Sequence, residues 1–498
     1  MFKCRAPILF LIALLSGMTP ITSRGADGDP PPKPDQRAAE PKPETPEEAL
    51  AKLTVPLQIT PAADAHPILK HRLYFRPIEQ EPGNAAPLYL KAALLLSEQK
   101  RDERYWEAVD TWLMTTVSDL PREEVPSAVA RYEGILRLVR MAARHEECRW
   151  DLQVRQGFYD VLLPELTHIR SFGRLLALQA RWQIASQDFD GAIETLRTGF
   201  TLARHVAAGP TLIHGLMGVA ISRQMLEQVA AFSEAPGSPN LYWPLTALPQ
   251  PFVDLRKAAD LESDGVLFTF PQLQNLGHAV LSKEQWDARL QAFVSRYATM
   301  EPYFPTPAEN ANGPQLTTTV RLIAGFPKAR KWMIDSGERG EVVDKKPSSE
   351  IVLKYIAFVY EDLGDDTFRW FYLPYSEARE GMLAAEQRLK EGQDREIVPF
   401  ASMLIPAVNN VMRTAAKFDR EMAARRCVEA LRMFAAAHDG KLPEKLAEIK
   451  DAPIPGDPVI GKPFEYRLED GHALLIGPPP DGKSWEIEGL RYEIRVKK

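Results

Sequence analysis

Apolar residues recur at helical spacing through most of this chain, most strongly between Ser171 and Val229. Phe189, Ala192, Ile193, Leu196, Gly199, Phe200 and Ala203 fall at offsets 0, 3, 4, 7, 10, 11 and 14, which is one buried stripe of an amphipathic helix. The run before it carries Phe172, Leu175, Leu176, Leu178 and Trp182, and the polar Gln187-Asp188 pair supplies a turn, so an antiparallel helical hairpin is predicted. Gly209-Pro210 then suits the end of one helix and the opening of a third, with Ile213, Met217, Ala220, Ile221, Met225 and Val229 on one side.

The same spacing predicts helices over Ala86 to Gln99, Glu103 to Val117, Ser127 to Ala143 and Asp151 to Leu163 before the hairpin. After it come Phe252 to Leu261, Lys283 to Thr299, Thr317 to Ser336, Glu350 to Leu363, Tyr375 to Gly392 and Ile405 to Asp439. Ahead of them, Leu53 to Ile59 and His71 to Ile78 read as short extended pieces broken by prolines. Residues 233 to 252 hold an Asn240-Leu241-Tyr242-Trp243-Pro244 cluster among prolines, an ordered loop on the helical body or, alternatively, a peptide-binding surface. The tail changes period. A helix from Ala415 to His438 precedes strand-like segments around Phe464 to Arg467, Ala473 to Ile476 and Trp485 to Val496, with Asp470-Gly471 as a hairpin turn and Asp457-Pro458 expected at an exposed rim.

The first residues look like an address. Lys3 and Arg5 precede an apolar run from Ala6 to Leu15, and Ser23-Arg24-Gly25 offers small residues for a cut before Ala26. A cleaved export signal over residues 1–25 is expected, with an uncleaved anchor as the alternative. Residues 26–49 are rich in proline and charge and read as a disordered linker. The helical body is then assigned to 50–414 and an α+β unit to 415–498. No later stretch reaches membrane-spanning length without charge, so no membrane insertion is expected once the signal is removed.

A formal charge of -6 on 498 residues, with Lys and Arg scattered among Asp and Glu, gives no basic face and sets nucleic acid aside. Beyond the leader stand Cys148 and Cys427, expected as independent buried thiols rather than a bridge.

Three resemblances follow from particular stretches. Ala180, Ala192, Leu196 and Gly199 resemble the small and apolar positions of a tetratricopeptide repeat, although Gln183 and Arg204 depart from it. LLPELTHIRSFGRLLALQARWQIASQDFDGAIETLRTGF, SPNLYWPLTALPQPFVDLR and DPVIGKPFEYRLEDGHALLIGPP resemble an exported family frequent in planctomycete-type bacteria. That resemblance implies export and a helical architecture, and carries no activity. The long helix, Leu442-Pro443, Asp457-Pro458 and Gly461-Lys462-Pro463 are similar to the globular end of type II secretion pseudopilins, which implies a fold for the tail.

Candidate chemistry is sparse. Gly477 to Ser484 matches the G-x-x-x-x-G-K-[ST] phosphate-loop pattern, but three consecutive prolines remove the amide donors such a loop needs. His145 and Cys148 would lie one turn apart on a helix, without a second ligand pair. Glu361, Asp362, Asp365 and Asp366 form an acidic run that reads as a solvated helix end. His205 and His214 flank the Gly209-Pro210 turn beside Arg204, either facing one groove or sitting at helix ends.

These observations predict a mainly α protein, an irregular helical-hairpin body with a small C-terminal α+β unit, with no cofactor and no metal. The leading function is a protein-interaction or scaffolding role in the cell envelope, with Trp182, Arg204, His205, His214, Tyr242 and Trp243 as candidates for touching a protein partner. The alternatives are an exported hydrolase or lyase acting on envelope polysaccharide, and an accessory of a secretion apparatus.

Overall fold

The computed structural model describes residues 53–300, 318–482 and 484–497; the predicted leader and linker lie outside them. Strand β1 (Thr54–Ile59) comes first, followed by β2 (Glu81–Asn84), α1 (Ala86–Ser97), α2 (Glu103–Met114), α3 (Glu124–Ala130), α4 (Glu133–Ala143) and β3 (His145–Glu147). Three long helices follow: α5 (Glu165–Ala185), α6 (Phe189–Ala207) and α7 (Leu212–Glu234). Next come α8 (Tyr242–Thr246), α9 (Arg256–Ser263), α10 (Gly265–Thr269), α11 (Lys283–Met300), α12 (Thr318–Asp335) and α13 (Gly340–Val343). The last long helices are α14 (Ser348–Phe368), α15 (Tyr375–Glu391) and α16 (Phe400–Ala437). Strands β4 (Gly456–Asp457), β5 (Lys462–Pro463), β6 (Glu465–Glu469) and β7 (His472–Gly477), a helical turn α17 (Trp485–Glu488) and strand β8 (Leu490–Val496) close the chain. The protein is mainly helical with a small sheet in its C-terminal region.

The predicted hairpin is α5 and α6. Gln187 turns the chain at φ 61°, and the Asp188 side chain caps α6 by accepting from the Gly191 amide. Ala192, Ile193, Leu196, Gly199, Phe200 and Ala203 are all buried. Gln183, the polar departure from the repeat-like pattern, is also buried and accepts a 2.7 Å hydrogen bond from Thr195 across the hairpin, so its amide does not stand unsatisfied in the core. Helix α7 is buried nearly all round, not on one side, because α5 and α6 pack on one flank and α16 on the other. Glycine permits that approach. A Cβ on Gly218 would stand 2.7 Å from the Ala203 carbonyl oxygen of α6.

Two predicted helices differ. Ser127 to Ala143 divides into α3 and α4 at Tyr132, whose ring packs against Tyr105 and Trp106. Asp151 to Leu163 forms two 3-10 turns, Val154–Gln156 and Phe158–Asp160, separated by Gly157 at φ 154°, a conformation that interrupts any helix.

Helix α16 is the spine. Its 38 residues run about 57 Å and pass through three apolar cores. Phe400 belongs to a core with α11, α12 and α14, Val408 to Met422 to the core of the α1–α7 helices, and Ala423 to Phe434 to the core beneath the C-terminal sheet. A boundary at residue 414/415 therefore falls inside one continuous helix. The Arg223 guanidinium clamps both oxygens of Glu421, at 2.9 and 3.1 Å, tying α7 to α16.

The sheet has the order β1-β8-β7-β6. β6, β7 and β8 are antiparallel neighbours, whereas β1 pairs parallel with β8 from Thr54↔Arg491 to Ile59↔Val496. The first described strand thus completes the last unit, burying Leu57 and Ile59 in its core. Trp485–Glu488, predicted as strand, is a helical turn. It delivers Glu488 to α15, where Tyr375 donates at 2.6 Å and Arg379 at 3.0 Å.

The tail's expected exposed rim is instead buried. Asp457 is 1% exposed, and Arg420 of α16 donates Nε to its Oδ1 at 2.8 Å and holds its Oδ2 at 2.7 Å. A second buried pair joins the loop after α7 to β1. Arg432 holds Glu429 at 2.8 Å and donates to the Thr60 carbonyl and the Ser238 hydroxyl, while Glu429 accepts from the Leu241 amide and Asn240 donates to the Ala62 carbonyl. These bonds order the proline-rich segment 233–252.

Candidate functional site

Where the first two cores meet, a cleft of about 630 Å³ opens to solvent. Its walls come from α9 (Asp260, Ser263), from the end of α14 (Asp362, Leu363, Asp365, Asp366, Phe368), from the following turn (Arg369, Tyr372) and from Arg388 and Arg395. The helical period of α14 produces this arrangement. Leu363 and Phe368 turn inward to the two cores, so Asp362, Asp365 and Asp366, interleaved with them, face outward on the same end of the helix.

Most of the charge is committed. Arg388 clamps Asp366 at 2.7 and 2.8 Å, and Arg369 reaches the same carboxylate while stacking over Trp370. Arg395 donates to Asp362 at 2.6 Å. The Tyr372 hydroxyl donates to Asp260, and the residue as a whole is 59% exposed. The Asp365 side chain has no ion pair or hydrogen bond among the described residues. Asp264 and Glu361 lie within electrostatic reach of it. Burial first, then the neighbouring carboxylates Asp260 and Asp365, raise the Asp264 pKa; burial, then Asp365 and Asp264, raise that of Glu361. The acidic run read as a solvated helix end is thus one wall of a mixed-charge cleft.

The predicted partner-contact residues lie elsewhere and are not brought together. Tyr242 is 0% exposed and packs into the C-terminal core, and Trp243 is half-buried with its indole N–H aimed at Asp64. Trp182 is half-buried against the core of the α1–α7 helices, and Arg204 is exposed near the end of α6. His205 and His214 do converge, around Trp150. The Tyr89 hydroxyl and His205 Nδ1 are 3.1 Å apart, the Trp150 indole donates to the His205 carbonyl at 2.8 Å, and the Trp150 ring lies 6.0 Å from that of His214. Burial lowers both imidazoles to a pKa of about 4. His214 is buried completely and shares a 2.8 Å hydrogen bond with Thr211. This cluster fastens the α6–α7 turn to the Trp150 segment.

His145 stands on strand β3, not on a helix, so His145 and Cys148 are not one helical turn apart. Cys148 and Cys427 are both free, and burial pushes each thiol to about 12, which keeps them protonated and inert. Among the described residues no group of His, Cys, Asp and Glu has the geometry of a metal site. The phosphate-loop look-alike also has the wrong polarity. The carbonyls of Gly477, Pro478 and Glu488 converge on the Arg420 guanidinium, so this turn surrounds a cation with acceptors.

No family model matches this chain, and no curated protein or solved structure matches it.

Sequence reasoning missed the cleft because two of its arginines, Arg388 and Arg395, sit on α15 and in the turn after it, away from the acidic end of α14. The available signal was the pairing of an acidic α14 end with the basic residues Arg369, Arg388 and Arg395 downstream.

Proposed function

We propose that this chain is an exported protein-interaction scaffold of the cell envelope and that the cleft between α9, α14 and α15 is where it docks its partner. One observation carries the reading: the cleft combines an exposed tyrosine with three arginines, and its paired carboxylates are already held by neighbouring side chains. Tyrosine and arginine are the residues that most often anchor protein interfaces. Most glycoside hydrolases use two carboxyl groups facing each other across the scissile bond. Here Asp362 and Asp366 are bound to guanidinium groups and Asp260 to a phenol, leaving Asp365 as the one lining aspartate without a side-chain partner among the described residues, which supports a binding role over acid–base chemistry. Export rests on the N-terminal address, and no described helix is long and apolar enough to cross a membrane.

The test is photo-crosslinking in intact cells from a reactive side chain at Tyr372, compared with one at Val280, which is 97% exposed on a different segment. A discrete protein adduct from position 372 and none from 280 is expected. Indiscriminate adducts from both sites would overturn the docking reading, as would polysaccharide release by the purified protein that Asp365→Asn abolishes.

A further inference from the structure

We propose that the cleft receives a lysine- or arginine-bearing extended segment of a protein partner, an inference that rests on the docking reading above. The charges that remain available in the cleft decide its occupant. Each lining guanidinium is engaged: Arg388 by both oxygens of Asp366, Arg369 by the same carboxylate and the Trp370 ring, and Arg395 by Asp362. An acidic segment would have to compete with these intramolecular carboxylates for the same guanidinium groups. A basic segment displaces nothing. Asp365 offers a charge without an ion-pair partner among the described residues, and Asp260 keeps its charge, since a phenol donates a hydrogen bond without neutralising it. Asp264 and Glu361 both stand close enough to Asp365 that, after burial, its carboxylate helps to raise their pKa values, a repulsion that an added cation relieves.

Tyr372 supplies the second half of the recognition. Its hydroxyl is fixed on Asp260 while the residue as a whole stays 59% exposed, so a cation beside Asp260 meets a carboxylate and an aromatic face from one preorganised pair. A cleft of about 630 Å³ has room for one or two long side chains of an extended chain and not for a folded element. The walls beneath are apolar at Leu363 and Phe368, which suits the methylene stem of lysine or arginine.

The experiment measures fluorescence anisotropy of labelled hexalysine and hexaglutamate peptides with the full chain. Hexalysine should bind, weakening as salt rises, and hexaglutamate should not. Asp260→Asn combined with Asp365→Asn should weaken hexalysine about tenfold, from two exposed charge contacts of up to about 1 kcal/mol each. Tyr372→Ala should weaken it further. Asp439→Asn with Asp470→Asn, acidic positions in the tail, should leave it unchanged. All four aspartates lie at the surface, so folding is not at stake. Equal binding by the cleft and tail variants would overturn the proposal, as would tighter binding of hexaglutamate. If the Tyr372 crosslink still captures one partner while these peptide results fail, the basic-partner inference falls and the docking reading stands. If the crosslink is also lost, both fall.

Discussion

Arg420 and Asp457 form a two-point ion pair in which neither side chain reaches solvent, 2% and 0% exposed. The pair fixes the turn before β5 to the spine helix, and Asp457 also accepts from the Val459 amide at 2.9 Å. Removing one partner leaves a buried charge without its counter-charge. Asp457→Asn or Arg420→Met should each cost about 3–5 kcal/mol in urea unfolding. Arg420→Met combined with Asp457→Leu should cost clearly less than the sum. An additive double variant would show that the two residues do not act as a pair.

Glu262, completely buried on α9, gives a pH signature. Burial raises its pKa to about 8, against a weaker opposing hydrogen bond from the Leu212 amide. In the folded chain it holds a proton that the unfolded chain releases above the ordinary carboxyl value of 4.5. Its contribution therefore falls as pH rises from about 4.5 to about 8. Glu262→Gln, which mimics the protonated form, should match the parent near pH 5 and exceed it by a few kcal/mol at pH 8. Thermal unfolding across that range is the measurement, and parallel curves would contradict the assignment.

His205 and His214 act in the opposite direction. Their pKa values are lowered from 6.5 to about 4, so the unfolded chain binds protons that the folded chain refuses. The stability they confer is complete above 6.5 and is lost as pH falls toward 4. A His205→Gln, His214→Gln variant should lose less stability between pH 7 and pH 5 than the parent, even if it starts lower. A steeper acid loss in the variant would refute the buried neutral state of these rings.

The packing of α7 against α6 makes a prediction about size. A methyl at Gly199 meets the flexible Met225 side chain, with its sulfur 2.1 Å away, whereas one at Gly218 meets the Ala203 carbonyl and the Ala207 Cβ at 2.7 and 2.6 Å. Side chains move more readily than backbone. Gly218→Ala should thus destabilise by about 1–3 kcal/mol, more than Gly199→Ala, and the ordering is readable from denaturation midpoints.

The helices were legible because their buried stripes repeat locally, as in Ala192 to Ala203. What could not be read was tertiary partnership. Asp457-Pro458 has the composition of an exposed turn, and only Arg420 on a distant helix makes it a buried one. Tyr242 stood among prolines like a surface aromatic, yet Arg432, Glu429 and Asn240 pull its segment into the C-terminal core. Helix α7 gave one apolar side because Ser222, Gln228 and Ser233 look solvent-facing, although helices packed on both flanks of α7 leave all three buried, with Gln228 accepting from Arg181 of α5. The acidic end of α14 was visible as composition. Its function as a cleft wall depends on Arg388 and Arg395, which no periodicity links to it.

Strand β1 has a kinetic consequence. Its hydrogen-bonding neighbour is β8, so Ile59 seats only beside Val496 and the Lys497 amide closes on the Ile59 carbonyl. During synthesis, the helices between can form as they emerge, because many of their contacts are between helices adjacent in sequence. The opening strand has no template until the final one exists, and bringing the two together carries the largest loop-closure cost in the fold. Pairing of β1 with β8 is therefore expected late in folding, and a chain halted before its final residues would hold β1 without its strand partner.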